Sequence, residues 1–426
     1  MTKFLTEYDA SELDELRSEL QREFELIAGN KMHLNLTRGK PAADQLELSH
    51  GMDDVLAGNY TASDGTDTRN YGELRGLLEA RELGAELLGV PAANVIAGGN
   101  SSLFLMHLVV ETALQQGLWG DQRRWSNDSN PKVLTPVPGY DRHFALTETL
   151  GIGMLNVDIG PTGPDVDEAI SLARDDPSIK GIWCVPKYSN PTGCTYDDAT
   201  VQALAKLPAQ AAADDFVILW DNAYAVHAFG DEDEQLASIY EAVEQAGTSE
   251  HVVQFASTSK ITFAGSGIAF IAAAEVVLHN LEHRLSFMLI GPDKVNQLRH
   301  SRFLKGRVQE HMQAHAKLLR PKFELVQQVL RTELDGLGIA TWTEPVGGYF
   351  VSLDLLPGLA SEVVEMAQQI GLTLTPAGAT FPYAKDPQNR NVRIAPTFAA
   401  FDELRTAMQI LTLCVKLASV NHLQDT

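Results

Sequence analysis

The sequence predicts an α/β fold: a three-layer unit around a mostly parallel sheet, joined to a smaller α+β unit built from both termini. Three observations predict it. Short, uniformly apolar runs recur through the middle of the chain, as parallel strands covered on both faces require. Helical stretches separate these runs. After about residue 280 the pattern changes to long helices with a few short strands.

The elements follow in order. Residues 1–30 place Leu13, Leu16 and Leu20 at helical spacing and lack the basic-then-apolar layout of a signal peptide. Asn94-Val95-Ile96-Ala97 reads as a strand and 103–113 as a helix. Further strands are expected at 132–135, 181–185, 216–220, 252–255 and 267–273. Residues 283–337 read as one long helical segment interrupted at Gly291-Pro292. Strands at 339–342 and 348–353, a helix at 361–370, a strand at 392–395 and a closing helix at 401–418 complete the chain. The expected division is an N-terminal segment (1–45) packing with the small domain, a large domain (46–290) and a small C-terminal domain (291–426).

With 426 residues, the chain can bury a large core and form more than one domain. Apolar residues make up 44% and charged ones 21%, which is ordinary for a soluble enzyme. The net charge of −23 repels nucleic acid and anionic membrane surfaces, so neither is an expected partner. No apolar run reaches the roughly 18 residues that span a bilayer. Cys184, Cys194 and Cys414 lack the spacing of a metal site or a disulfide framework, and a cytoplasmic location fits them.

Six segments carry chemistry. Ala97-Gly98-Gly99-Asn100-Ser101-Ser102 follows a strand and opens a helix. Its free N–H groups and hydroxyls suit a phosphate, although serine and asparagine are also ordinary helix caps. Pro136-Val137-Pro138-Gly139-Tyr140 presents an aromatic ring at a strand end, able to stack on a planar cofactor or simply to pack. His143, three residues on, is a partner for a buried carboxylate or a solvent-facing residue. Asn190-Pro191-Thr192-Gly193 reads either as a β-turn or as an amide donor to a phenolate oxygen.

Asp221 closes the apolar run Phe216-Val217-Ile218-Leu219-Trp220. A carboxylate there is costly without a cation, and a protonated pyridine ring supplies one; an N-cap is the simpler role. Tyr224 lies three residues on. Lys260 follows the next strand in Ser257-Thr258-Ser259-Lys260. A lysine forms a Schiff base with pyridoxal phosphate, and Ser257 and Ser259 suit its phosphate. Taken singly, a lysine defaults to the surface. Arg393, in the strand-like Asn391-Val392-Arg393-Ile394-Ala395, suits either a substrate carboxylate or a structural ion pair.

Taken in this order, the segments resemble the fold-type-I pyridoxal-phosphate-dependent aminotransferases of class I/II over nearly the whole chain. They are most similar to the bacterial aspartate aminotransferases of subgroup Ic, which are related to the aminotransferase domains of MocR-type regulators. The resemblance implies that Lys260 carries the cofactor as a Schiff base and then performs a 1,3-proton shift as general base. Asp221 would pair with the ring nitrogen, with His143 behind it. Asn190 and Tyr224 would contact the 3-oxygen, and Tyr140 would stack on the ring. Asn100, Ser101, Ser102, Ser257 and Ser259 would surround the phosphate.

Arg393 would bind the substrate α-carboxylate, with Asn190 beside it. Arg38 and Gly39 of Leu36-Thr37-Arg38-Gly39-Lys40-Pro41 would form a substrate-contacting loop. Tyr71 of Asp67-Thr68-Arg69-Asn70-Tyr71-Gly72 would enter the partner subunit's site in a homodimer. Pro345-Val346-Gly347-Gly348-Tyr349-Phe350 also matches.

One departure stands out. Most members carry an arginine after the lysine, in S-K-x(5 or 6)-G-x-R-x-G or a near variant. Here Lys260-Ile261-Thr262-Phe263-Ala264-Gly265-Ser266-Gly267 contains none. A dicarboxylic substrate needs a second cation, and Arg38, Lys40 and Arg69 all qualify.

The expected reaction is L-aspartate with 2-oxoglutarate giving oxaloacetate and L-glutamate. Transamination of aromatic, kynurenine-type or other amino acids is the alternative. A MocR-like regulatory domain is the alternative of another class. The roughly thirty residues ahead of Leu36 are too few for a winged helix.

Overall fold

The computed structural model describes residues 4–29, 32–230 and 234–425. The chain opens with α1 (Ala10–Ala28), β1 (Leu34–Asn35) and α2 (Ala43–Glu47). There follow α3 (Leu78–Leu88), β2 (Val95–Ala97), α4 (Ser102–Gln115), β3 (Lys132–Val137), α5 (Asp141–Thr149), β4 (Gly153–Gly160) and β5 (Gly163–Pro164). Next come α6 (Val166–Asp175), β6 (Ile179–Cys184), α7 (Asp198–Gln210), β7 (Val217–Asp221), α8 (Ile239–Ala246), β8 (Val252–Ser257) and β9 (Ala269–Ala273). The remainder comprises α9 (Glu275–Ser286), α10 (Lys294–Leu304), α11 (Val308–Leu334), β10 (Ala340–Trp342), β11 (Val351–Leu355), α12 (Ala360–Gln369), β12 (Leu372–Thr373), β13 (Asn391–Ile394) and α13 (Phe401–Asp425).

Eight strands form one sheet in the order β2-β9-β8-β7-β6-β3-β4-β5. The pairings from β4 through β3, β6 and β7 to β8 are parallel. β9 runs antiparallel to both β2 and β8, and β5 antiparallel to β4. The sheet is therefore mostly parallel, as expected.

Both faces are covered, and the two-residue period of a strand explains how. Val217 and Leu219 pack into one apolar cluster, with α4 and α9 residues such as Val109 and Leu278. Phe216, Ile218 and Trp220 pack into another, with α7 and α8 residues such as Leu204 and Val243. Full burial of each such side chain contributes about 1.5–3 kcal/mol. Strand order turns back at β3, whose neighbours are β4 on one side and β6 on the other. Crevices beyond strand carboxyl ends at such reversals are where open α/β sheets bind ligands.

The smaller unit holds the antiparallel sheet β10-β11-β13 and the parallel pair β1-β12. Leu13 and Leu20 of α1 share its apolar cluster with Leu411 and Val415 of α13. Leu298, Leu304, Val308 and Met312 pack instead with the large sheet, beside Ile268 and Phe270. From Leu319 onward, α11 packs with the small sheet. We propose that the two domains divide within α11, later than residue 290.

Two expectations needed revision. The helical segment at 283–337 is parts of three helices, broken at Gly291-Pro292 and again at Gly306, whose φ of 64° is left-handed and suits glycine. β4 was not anticipated. It lies near the sheet's edge with alternating burial, so polar Asn156 and Asp158 interrupt its apolar pattern.

Candidate active site

The strand ends beyond β3, β6, β7 and β8 bring the expected residues together. Thr37, Arg38, Gly39, Lys40, Tyr140, Asp141, Arg142, Asn190, Tyr224, Lys260, Phe350, Thr375 and Arg393 are among the residues that line one cavity of about 610 Å³. A Cβ at Gly39 would stand 2.5 Å from the Phe350 ring, so only glycine lets this loop pass so close.

Asp221 is the last residue of β7 and is 2% exposed. Its Oδ2 lies 3.0 Å from Nε2 of His143, on α5. Its Oδ1 is buried without a hydrogen-bond partner. His143 is held flat against Trp183, their ring centroids 4.1 Å apart at 10°. Tyr140 meets the His143 ring edge-on at 4.9 Å.

Lys260 follows β8 and is half-buried. Its Nζ lies 4.9 Å from the centre of the Tyr224 ring. Burial pulls its amine below the ordinary lysine value, and Asp221 offsets part of that pull. Burial, with smaller contributions from Tyr140 and Asp221, raises the Tyr224 phenol. Tyr140 is raised by the same two causes, burial first and Asp221 second. Both phenols therefore keep their protons and remain hydrogen-bond donors.

Arg393 projects from β13 and is 6% exposed. It donates to Asp141 Oδ1 at 2.7 Å, Asn190 Oδ1 at 3.3 Å and Thr375 Oγ1 at 3.4 Å. Its Nε is buried without a partner. The bond to Asn190 occupies the amide oxygen, which leaves the NH2 group as the donor available to a ligand.

A second group of residues meets beside Lys260. Ser101 Oγ caps α4 by accepting from Phe104 N at 3.3 Å, and Ser102 is the first residue of that helix. Ser257 Oγ lies 2.9 Å from Ser259 Oγ, which donates to the Asn100 carbonyl at 3.0 Å. Asn100 Nδ2 in turn donates to the Gly265 carbonyl at 3.1 Å. The lysine loop and the α4 entry are thus tied together. Ile268, near the position where most members carry arginine, is 1% exposed in an apolar cluster.

Asp221, Asn100, Ser101, Ser102, Ser257 and Ser259 lie outside the cavity lining, as do Arg69 and Tyr71. Arg69 is exposed and ion-paired to Asp67 at 2.7 Å. Tyr71 is 81% exposed, its carbonyl accepting from Lys294 Nζ at 3.0 Å. Asp141 and Arg142 line the cavity but were missed from sequence. As the first two residues of a helix they read as ordinary first-turn charges. Trp183 was read only as a strand residue.

An orphaned carboxylate oxygen on Asp221, an amine of lowered pKa and an arginine with donors to spare form one donor set. It fits pyridoxal phosphate and an amino acid. Comparison with known proteins places the chain among the aminotransferases. Residues 8–426 match the family model described as aspartate amino-transferase. A putative aminotransferase of Mycolicibacterium smegmatis is 47% identical over 409 residues, covering 95% of each chain. The aspartate aminotransferase of Corynebacterium glutamicum is 40% identical over 424 residues, 98% of this chain and 97% of that one. A crystal structure of an aspartate transaminase from C. glutamicum superposes with a TM-score of 0.94 at 40% identity, covering 99% of this chain and all of that one.

Proposed function

Because this chain belongs to the aspartate aminotransferase family and is an aminotransferase, we propose that it moves the amino group of L-aspartate to 2-oxoglutarate, using pyridoxal phosphate held at Lys260. The observation that carries the cofactor reading is the unpartnered Oδ1 of buried Asp221, whose charge acts on the Lys260 amine. A buried carboxylate oxygen costs about 1–3 kcal/mol if left unsatisfied, and a ring N–H removes that cost.

When bound, pyridoxal phosphate supplies an aldehyde that exchanges amines and a ring that draws electrons from the substrate α-carbon. Lys260 would hold the cofactor, and its low-pKa amino group would serve as the base for the proton on the substrate α-carbon. Asp221 would keep a proton on the ring nitrogen, with His143 fixing the carboxylate's orientation. The Asn190 NH2 and the Tyr224 hydroxyl would be donors to the ring's 3-oxygen, and Tyr140 would pack on the ring. Arg393 binds the substrate α-carboxylate, exchanging its bond to Asp141 for the substrate. Ser101, Ser102, Ser257, Ser259 and Asn100 would hold the phosphate, with the positive dipole end of α4 beside them.

For the side-chain carboxylate, Arg38, Lys40 and Arg142 are the cations that line the same cavity besides Lys260 and Arg393. The aspartate assignment draws on the 40% identity to the C. glutamicum aspartate aminotransferase. Turnover of aspartate, aromatic amino acids, kynurenine and alanine with 2-oxoglutarate tests it. Aspartate should give the highest kcat/KM. Equal or better turnover of an aromatic substrate would reject the substrate assignment. A protein that gains no visible absorption band with pyridoxal phosphate would reject the cofactor.

A further inference from the structure

A network of four buried polar side chains from elements outside the lysine loop reaches the main-chain carbonyls of Lys260 and Ile261. The lysine sits in a tight turn in which Thr258 O accepts from Ile261 N and Thr262 N, both at 2.8 Å. The next carbonyl, Ile261 O, accepts from two imidazoles on α11, His311 Nε2 at 2.7 Å and His315 Nε2 at 2.9 Å. Gln45 of α2 donates to His315 Nδ1 at 3.2 Å and to Tyr349 Oη at 3.0 Å. Tyr349, in the segment before β11, closes the circuit with a long 3.5 Å bond to the Lys260 carbonyl. None of the four lines the cavity, and all are buried.

The donor pattern makes His315 a neutral imidazole with its proton on Nε2, and His311 too donates from Nε2. His315 then donates to Ile261 O and accepts from Gln45 at Nδ1. Gln45 keeps its own orientation because its Oε1 accepts from Ala42 N at 3.1 Å. Burial, then the neighbouring His311, pushes His315 down to about 4. His311 is lowered by burial as well. With their Nε2 atoms 3.3 Å apart, two charged rings would repel, whereas two neutral ones share a single acceptor.

Packing alone requires no such convergence. The lysine side chain has many rotamers, so Nζ is placed by its main chain and by the rings around it. Tyr349 acts at both ends: its hydroxyl holds the carbonyl, and its ring centre lies 5.9 Å from Nζ. In proton transfer an error of about 1 Å can cost about a hundredfold in rate.

We propose that Gln45, His315 and Tyr349, with His311 on the same carbonyl, are positioning residues that fix the Lys260 backbone so that its amine meets the reacting carbon. This rests on Lys260 being the cofactor-bearing base.

The test compares holoenzymes of wild type, His315→Phe, His315→Gln, Gln45→Leu and Tyr349→Phe. Three readouts are taken: kcat and KM for aspartate, the pH titration of the visible band of the lysine-bound cofactor, and amide hydrogen exchange across residues 258–262. Expected for His315→Phe and Tyr349→Phe are a fall in kcat of about 10- to 100-fold with KM little changed, a displaced titration midpoint and faster exchange in that turn. His315→Gln, which restores an N–H donor, should recover most of the loss. A lowered melting temperature with wild-type kcat and titration would overturn the proposal. Should His315→Phe fail to fold, Tyr349→Phe decides by the same readouts, since it removes one hydroxyl. A wild-type protein without any visible band overturns the cofactor assignment as well, and so is distinguishable from failure of the network alone.

Discussion

Asp221 and His143 are joined by a single bond of 3.0 Å between Oδ2 and Nε2, which leaves Oδ1 buried and unpaired. The imidazole orients the carboxylate without using up its capacity to hold a proton on a ring nitrogen. Asp221→Ala should therefore lower kcat by more than about a hundredfold while changing KM for aspartate little, because the interaction matters most as charge develops. His143→Leu should cost less, about tenfold, since Asp221 remains. Steady-state kinetics on the two variants checks this, and a larger loss at His143 than at Asp221 would contradict it.

A competitor already occupies the proposed α-carboxylate site. Arg393 is ion-paired to Asp141 at 2.7 Å, with 29% of the Asp141 side chain exposed. A partly exposed pair of this kind contributes up to about 1 kcal/mol. Asp141→Asn should thus lower KM for aspartate by about two- to fivefold. Arg393→Ala should raise KM for every amino acid in a substrate panel, and a loss confined to aspartate would instead assign Arg393 to the side-chain carboxylate.

Most of the large sheet was legible because its strands are buried on both faces, so nearly every residue in them is apolar. Asp221 drew attention for the related reason that a carboxylate closing such a strand is costly without a cation, whereas Lys260 and Asn190 lie in turns beyond strand ends and took their expected roles from the resemblance. Asp141 and Arg142 were not, since charges in a helix's first turn are ordinary wherever the helix points. The network of Gln45, His311, His315 and Tyr349 was invisible for another reason. Its members are scattered over three elements, and His311 and His315 differ by one turn on the buried stripe of α11, where local pattern says only that they face inward.

Buried histidines should cost the fold stability as the pH falls. Burial holds His300 down to about 4, with Nε2 at 2.9 Å from Thr262 Oγ1 and Nδ1 at 2.9 Å from Asn296 O. Arg299 lowers it further, while the Asn296 carbonyl and Asp293 pull the other way. In the unfolded chain it titrates near its ordinary value of 6.5. The unfolded state thus binds the proton first as pH falls. The stability contributed by the neutral ring is complete above 6.5 and drains away toward pH 4. His315, also held down to about 4, adds a loss over the same window. Melting temperatures measured between pH 7 and pH 4.5 should fall, and fall less steeply in His300→Gln. Parallel curves for variant and wild type would show that His300 does not contribute.

Tyr71 leads to a prediction about assembly. Its side chain is 81% exposed, and Gly291 packs against the main chain of Gly72. Just ahead of Gly291, Phe287 is 75% exposed, Met288 45% and Ile290 64%. Large apolar side chains clustered at one surface mark an interaction site. A second copy of this chain is the proposed partner, with Tyr71 completing the neighbour's site. In a symmetric dimer each site would then need Lys260 from one subunit and Tyr71 from the other. Tyr71→Ala and Lys260→Ala proteins should each be nearly inactive. Unfolded together and refolded as a mixture, half of the dimers are mixed, and one of the two sites in each mixed dimer carries both native residues. Activity should return to about a quarter of the wild-type level. No recovery, with mixed dimers demonstrated by mass, would place Tyr71 in its own subunit's site or in none.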